Sequence, residues 1–337
     1  MDKNIYDTII VGSGPAGLTA AIYNVRADLK TIVLAGNQPG GQLTMTTTVD
    51  NWPGFQTGIG GVKLMMDMQK QVQNLGVEIK QGLVKLIKST PTPSFDKEGR
   101  FAVELEDGST LHTKAVILAT GARAKWLGLP SEVELVGKGV SGCATCDGFF
   151  FRNKVVVVVG GGDTACEDAV FLAKFASKVY LIHRRDSFRA SAIEQKKVFE
   201  NEKIEVVWNS EIKELNPSAT ASPMAPPFDK GDSDKLRAVK VLNNKTGEEK
   251  VMEVDGLFVA IGHNPATEFV KDLVKLDEES CIVTGENNQY PFMTSCEGVF
   301  AAGDATTSNK NYKQAISAAG DGCKAGLDAE KWLGNQK

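Results

Sequence analysis

The feature that most constrains this sequence is a strand, a glycine turn and a helix that occur twice in the same order. The first copy is an apolar run from Ile5 to Val11 that passes directly into Gly12-Ser13-Gly14-Pro15-Ala16-Gly17, with Leu18, Ala21, Ile22 and Val25 at helical spacing behind it. In such a turn Gly12 permits the tight bend, Gly14 lets a pyrophosphate approach the backbone, and Gly17 lets the helix pack against the strand with its positive end towards the phosphates. The second copy is a valine run over residues 154–159, apolar enough for a strand buried on both faces, followed by Gly160-Gly161-Gly162-Asp163-Thr164-Ala165 and helical positions Ala169, Val170, Leu172 and Ala173. Each copy then continues into a hairpin and a strand closing on glycine: residues 100–112 and 115–121 in the first, 236–254 and 256–262 in the second. The expected fold is therefore α/β, with two Rossmann-like nucleotide-binding domains, each carrying a small β-meander.

What ends the second strand of each copy separates the two ligands. In the first copy, residues 30–35 should lead to an acid that holds an adenosine ribose, but the chain reads Ala35-Gly36-Asn37, so Asn37 or a later group takes that place. In the second, residues 177–182 run into His183-Arg184-Arg185, with Arg189 four residues further on. Arginines here accommodate a 2′-phosphate through charge-assisted hydrogen bonds, which points to NADPH rather than NADH. Near the C-terminus, residues 298–304 form a strand closing on Gly303-Asp304, and residues 314–333 have a helical pattern rich in Ala and Gly. Asp304 is placed to accept a hydrogen bond from a flavin ribitol, and the positive end of the following helix to stabilise a reduced, anionic ring. The glycine- and threonine-rich residues 40–54 read equally as a ligand loop or a surface excursion. Residues 217–234, with four of the twelve prolines, are expected to form a mobile loop.

Between the two turns lies Cys143-Ala144-Thr145-Cys146-Asp147. By itself a Cys-x-x-Cys is half a zinc site, a redox pair or two buried thiols. A second ligand pair at finger-like spacing is missing, since Cys281 and Cys296 lie fifteen apart and far downstream, so no metal is expected. In a reducing compartment a disulfide-capable pair is catalytic rather than structural, and an adjacent carboxylate such as Asp147 can pass protons to or from it. Composition narrows the partners. The net charge of -4 and pI near 5.6, with no face-sized Lys/Arg run, argue against nucleic acid. No apolar run in the 337 residues reaches the roughly 20 needed to span a membrane, and the opening Met-Asp-Lys-Asn leads into a short strand rather than a secretory segment, so the expected address is cytosolic.

The glycine turns, Ala119-Thr120-Gly121, the Cys143-to-Asp147 stretch, His-Arg-Arg-Asp-Ser-Phe-Arg-Ala-Ser over residues 183–191, Ala260-Ile261-Gly262-His263 and the Gly298-to-Asp304 strand follow one another in a single order. Together they closely resemble low-molecular-weight thioredoxin reductases over nearly the whole chain. The resemblance implies an NADPH-binding domain, residues 125–257 with the cysteine pair, inserted into an FAD-binding domain made of residues 1–124 and 258–337. It implies FAD contacts at Gly12, Ser13, Gly14, Pro15, Ala16, Gly17, Gln42, Asn51, Asp304, Lys313, Gln314 and Ala315. It implies NADPH contacts at Gly160, Gly162, Asp163, Thr164, His183, Arg184, Arg185 and Arg189. Lys313 stands where the family has arginine, keeping the charge and losing the planar fork. On the same ground Cys146 faces the flavin, Cys143 attacks a partner's disulfide and Asp147 is the acid/base.

The implied activity carries electrons from NADPH through FAD and the Cys143/Cys146 pair to oxidised thioredoxin, in a homodimer, with a domain rotation hinged near residues 121–130 and 254–262. Two other readings use the same motifs. One is a flavin dithiol oxidase or small-disulfide reductase; the intact His183-Arg184-Arg185 speaks against the oxidase, which has no need of NADPH. The other is a non-catalytic redox sensor whose sensed pair is Cys143/Cys146.

Overall fold

The computed structural model describes residues 5–46, 48–94, 99–216 and 235–336, so the proline-rich stretch 217–234 lies outside the described residues. In chain order the elements are β1 (Ile5–Val11), α1 (Pro15–Arg26), β2 (Thr31–Leu34), β3 (Thr48–Val49), β4 (Ile59–Gly60), α2 (Gly61–Asn74), β5 (Glu78–Lys80), β6 (Val84–Ser94), β7 (Gly99–Leu105), β8 (Thr110–Leu118) and β9 (Ala122–Ala124). There follow β10 (Val140–Ser141), α3 (Ala144–Asp147), β11 (Val155–Gly160), α4 (Asp163–Leu172), β12 (Lys178–Ile182), α5 (Ala192–Phe199), β13 (Ile204–Val207), β14 (Ser210–Leu215), β15 (Ala238–Asn243), β16 (Glu249–Glu253), β17 (Gly256–Ala260) and β18 (His263–Pro265). The chain closes with β19 (Val299–Ala301) and α6 (Ala315–Gly334). It divides into two compact units, residues 1–123 with 264–337, and residues 124–263.

The first unit is built on a seven-stranded sheet in the order β5-β2-β1-β8-β7-β6, with β19 also paired to β8. Its centre is parallel, with Ile10 opposite Val33 on β2 and Ile117 on β8. The unbroken Ile-Ile-Val of β1 suits that position, because both faces of the sheet are covered. Ile10, Val33, Ile117 and Phe300 pack with Leu18, Met65, Ala325 and Trp332 of the helices. Ile9, Ile32, Val116 and Leu118 pack on the opposite face with Phe101 and Val103 of the meander and with Val270, Val274 and Ile282. Helix α6 lies against α1 so closely that a Cβ at Gly322 would stand 2.0 Å from the Ala16 carbonyl oxygen.

The second unit repeats the plan. Its five parallel strands run β10-β17-β11-β12-β13, and β14-β15-β16 form a separate antiparallel meander. Val156, Val158, Leu181 and Phe258 face Ala165, Ala169 and Leu172 of α4, while Val157, Ile182, Leu257 and Val259 face Val239, Val241 and Met252 of the meander. Strand β17 sits between β10 and β11, with Ser141 opposite Phe258 and Gly160 opposite Ala260. Strand β17 thus lies wholly in the second unit, which runs from Ala124 to His263. The two meanders also differ. β8 runs unbroken from hairpin into parallel sheet, whereas Val254 and Asp255 interrupt the corresponding path between β16 and β17.

Candidate functional sites: two dinucleotide turns and a Cys-x-x-Cys disulfide

In the first unit Gly12 has φ of +115°, and a Cβ there would stand 2.1 Å from the Ala119 carbonyl oxygen. A Cβ at Gly17 would stand 1.9 Å from the carbonyl oxygen of Gly12. Neither position tolerates a side chain, so the turn is held tight between β1, β8 and α1. At Gly14, the residue that caps α1 ahead of Pro15, no described atom beyond its chain neighbours lies within 4 Å of where a Cβ would be. The backbone is therefore open on the side from which a phosphate approaches the first amides of the helix. Thr120, which follows the strand beside Gly12, has a buried hydroxyl with no hydrogen-bond partner among the described residues. Open amides and an orphaned hydroxyl at one turn fit a bound dinucleotide.

The other expected residues of this unit gather around the turn. The Ser13 hydroxyl donates to the Ala35 carbonyl at 3.2 Å and accepts from the Gly40 amide at 3.0 Å, tying the end of β2 to the glycine-rich loop. Gln42 is exposed on the short 3₁₀ turn Gly41–Met45. The Asn51 carboxamide donates to Gln314 Oε1 at 3.1 Å, and Gln314 caps α6 in a reciprocal capping box with Ser317, one residue ahead of Ala315. A Cβ at Gly303 would meet that of Ala16 at 3.0 Å, which brings the neighbouring Asp304 to the first turn of α1. Asp304 Oδ1 accepts from the Asn309 amide at 2.7 Å; burial pushes its pKa up to about 6, Asp321 adds to the rise, and Lys313 and Asn309 oppose it. Lys313 itself donates to the Lys310 carbonyl at 2.6 Å. Asn37, where an acid was expected, accepts from the Arg123 guanidinium at 3.2 Å, so a neutral amide paired with a cation occupies that place.

In the second unit Gly162 caps α4 with nothing within 4 Å of its Cβ direction, leaving the same kind of open turn. Gly160 is the closed side, since a Cβ there would stand 2.5 Å from both Ala165 Cβ and the Ala260 carbonyl oxygen. Asp163 Oδ1 accepts the Ser191 amide at 2.7 Å, and hydrogen bonds from Ser191 hold this carboxyl below its ordinary pKa. The Arg189 amide donates to the Gly161 carbonyl at 2.8 Å. These two bonds draw the loop carrying exposed Arg184, Arg185 and Arg189 to the turn, where Thr164 is also exposed. His183 is placed differently: it is 7% exposed, lies beneath Gly161, and its Nε2 is 3.0 Å from the Ser187 carbonyl. Burial lowers its pKa, and its ring packs against Phe188 and Trp208, so it props the turn as a neutral ring.

The same unit carries the redox stretch. Cys143 and Cys146 form a disulfide with an S–S distance of 2.08 Å at the start of α3. Ala144 is buried against Ala165, Cys166 and Leu172, which anchors the helix while Cys146 and Thr145 remain exposed. Ser141, at the end of β10, donates to Asp147 Oδ2 at 2.6 Å and accepts from the Cys143 amide at 3.0 Å. Sequence reasoning gave Ser141, Thr120 and Arg123 no role. Ser141 had one available signal, since a serine two residues before a turn residue can accept that residue's amide. Cys166 is fully buried with its thiol pushed up to about 12 by burial and nearby acids, which makes it inert. Asp277, Glu279 and Cys281 are clustered, but Lys310 pairs with both carboxylates and Asp277 Oδ1 accepts two backbone amides.

Two dinucleotide turns and an openable disulfide in one chain define a disulfide oxidoreductase that works with nucleotide cofactors. Comparison with known proteins agrees: the family model for pyridine nucleotide-disulphide oxidoreductases matches residues 6–322. Thioredoxin reductase of Mycolicibacterium smegmatis is 45% identical over 99% of this chain and 98% of that protein. The one from Rickettsia conorii is 44% identical over 96% and 97%. The solved thioredoxin reductase of Giardia duodenalis superposes with a TM-score of 0.86 at 40% identity, covering 98% of this chain and 100% of that one. The chain belongs to the pyridine nucleotide-disulphide oxidoreductase family and, within it, to the thioredoxin reductases. Membership implies a flavin and a nicotinamide cofactor.

Proposed function

We propose that this enzyme passes electrons from NADPH through FAD to the Cys143–Cys146 disulfide and from there to the disulfide of oxidised thioredoxin. The observation that carries the reading is the disulfide itself, exposed at Cys146 and flanked by the Ser141–Asp147 hydrogen bond, in a chain with two open dinucleotide turns. When bound, the two cofactors supply hydride transfer and the electron pair that opens the disulfide. FAD is favoured by the turn at Gly12 to Gly17, with Asp304 and the capped start of α6 beside it; NADPH is favoured by Arg184 and Arg185 next to the turn at Gly162.

The chain's own residues then divide the work. The electron pair breaks the Sγ–Sγ bond, and Asp147 supplies the proton that a departing sulfur needs. The Cys143 thiolate attacks one sulfur of the partner's disulfide; that bond breaks, a mixed disulfide forms, and the partner's other sulfur leaves and is protonated. Cys146 then attacks Cys143 Sγ, re-forming the pair and releasing the reduced partner. One hydride and one solvent proton thus become two partner thiols. A homodimeric, cytosolic enzyme belongs to the same reading and rests on family resemblance.

The test is Cys146→Ser. NADPH should still bleach the flavin while thioredoxin turnover, followed with a disulfide dye and with NADH as control, disappears. Sustained turnover in that variant would overturn the assignment. A sensor would show a single reduction event in the wild type with no turnover.

A further inference from the structure

Ser141 lies between the two groups that the thiol chemistry needs and is bonded to both. It is 5% exposed, and its strand is fixed by pairing with β17, Ser141 standing opposite Phe258. A hydroxyl has one proton to give and two lone pairs to receive. At Ser141 the proton points to Asp147 Oδ2 at 2.6 Å and a lone pair receives the Cys143 amide at 3.0 Å. The second possible acceptor for that proton, the Cys143 carbonyl, is further away at 3.3 Å. Oδ2 accepts as a carboxylate oxygen and, when the proton to be transferred sits on Oδ1, as the carbonyl oxygen of the acid, so the hydroxyl keeps this orientation in both states.

We propose that Ser141 is a positioning residue: its one oxygen fixes Asp147 for proton transfer and, at the same time, sets the backbone of Cys143. Cys143 precedes, and Asp147 ends, a four-residue helical turn that has no side-chain cap hydrogen bond. The rigid sheet, through Ser141, supplies the reference against which nucleophile and proton donor are aligned. The proton moves as the partner's S–S bond breaks: Cys143 Sγ forms the new bond, the departing sulfur takes the proton of Asp147, and Asp147 regains one from solvent. Ser141 gains and loses nothing in the step. Its bond to Oδ2 restrains the carboxyl from rotating out of line.

This inference rests on Asp147 being the acid/base, and the experiment separates the two. The rate of thioredoxin reduction by prereduced holoenzyme is measured against thioredoxin concentration for wild type, Ser141→Ala, Ser141→Thr, Asp147→Asn and the Ser141→Ala/Asp147→Asn double variant. Flavin reduction by NADPH reports on folding. The limiting rate of Ser141→Ala should fall by about tenfold, the size of one lost charge-assisted hydrogen bond, with half-saturation unchanged. Ser141→Thr, which keeps the hydroxyl, should recover most of the rate. In the Asp147→Asn background, Ser141→Ala should cost less than about twofold more, because residues that act as a unit are not additive. A full tenfold further loss in that background, with Asp147→Asn itself impaired, would mean that Ser141 only braces the loop, and would overturn the inference alone. A wild-type rate in Asp147→Asn would remove both the acid/base assignment and the inference.

Discussion

The carboxamide of Asn51 donates to Gln314 Oε1 at 3.1 Å, joining the loop after β3 to the residue that caps α6. Both groups belong to the proposed flavin site, and they are 263 positions apart in the chain. The bond does for the loop what the capping box does for the helix: it fixes the direction in which each presents its amides. Asn51→Ala leaves the core untouched, since Asn51 is exposed, but it frees the loop. Titration of apo-protein with FAD, followed by quenching of flavin fluorescence, should show affinity weakened about two- to tenfold, the worth of one solvent-accessible hydrogen bond. Unchanged affinity would detach this pair from the flavin site.

Arg184 and Arg185 are exposed beside an open turn, and no acid takes their place at the end of β12. On the proposed NADPH assignment, discrimination for a 2′-phosphate lies in these guanidinium groups. Replacing both with alanine should raise the KM for NADPH by about tenfold or more and leave that for NADH within about twofold, because the 2′-hydroxyl offers them little to bind. Equal losses with both nucleotides would assign the arginines to folding or to general electrostatic attraction.

Much of this architecture was legible from residue pattern alone. The valine run of β11 and the Ile-Ile-Val of β1 are too apolar for any place except the middle of a covered parallel sheet, and the glycines after them left few alternatives. Less legible were elements whose side chains alternate weakly. β14, with Glu211, Lys213 and Glu214, reads as a polar loop until its partner β15 is known. α5 is short and mostly polar, although Ser191 ahead of Glu194 is a readable N-cap signal. In the sites, residue type located the groups but not their orientation. His183 belongs to the most distinctive motif in the sequence, and it points inward beneath Gly161 while its arginine neighbours remain exposed. The Asn37–Arg123 pair joins residues 86 apart, so only the folded sheet shows what replaced the missing acid.

Asp304 predicts an opposition between stability and binding. Burial raises its carboxyl to about 6, against about 3.9 in an unfolded chain, so the folded apo-protein holds this proton more tightly than the unfolded one does. The contribution is therefore complete below about pH 4 and is lost as pH rises through 6, where folding must bury the charge. Since the side chain is only partly shielded from solvent, the effect is about 1–2 kcal/mol rather than the full shift. Asp304→Asn should accordingly melt higher than wild-type apo-protein at pH 8, and the gap should close towards pH 4. The same variant should bind FAD more weakly at pH 8, having lost a charged acceptor for a ligand hydroxyl. A gap that does not change with pH would show that the carboxyl stays solvated.

Cys143, the proposed nucleophile, has a hydroxyl beside its sulfur. Thr145 Oγ1 lies 3.4 Å from Cys143 Sγ, close enough for a hydroxyl to donate to sulfur. In the disulfide this contact is weak, because the sulfur carries no charge. Once the pair is reduced, the same hydroxyl faces a thiolate, and a donor to the charged form favours that form. Thr145→Val keeps the shape of the side chain and removes the donor. Alkylation of prereduced enzyme by iodoacetamide, resolved by mass spectrometry at Cys143 and Cys146 separately, should then show Cys143 reacting more slowly near neutral pH than in the wild type, with Cys146 affected less. Thioredoxin reduction near neutral pH should slow in proportion to the thiolate lost, and recover as pH is raised. If Cys143 and Cys146 slow together, the threonine is acting on the helical turn as a whole rather than on the attacking sulfur.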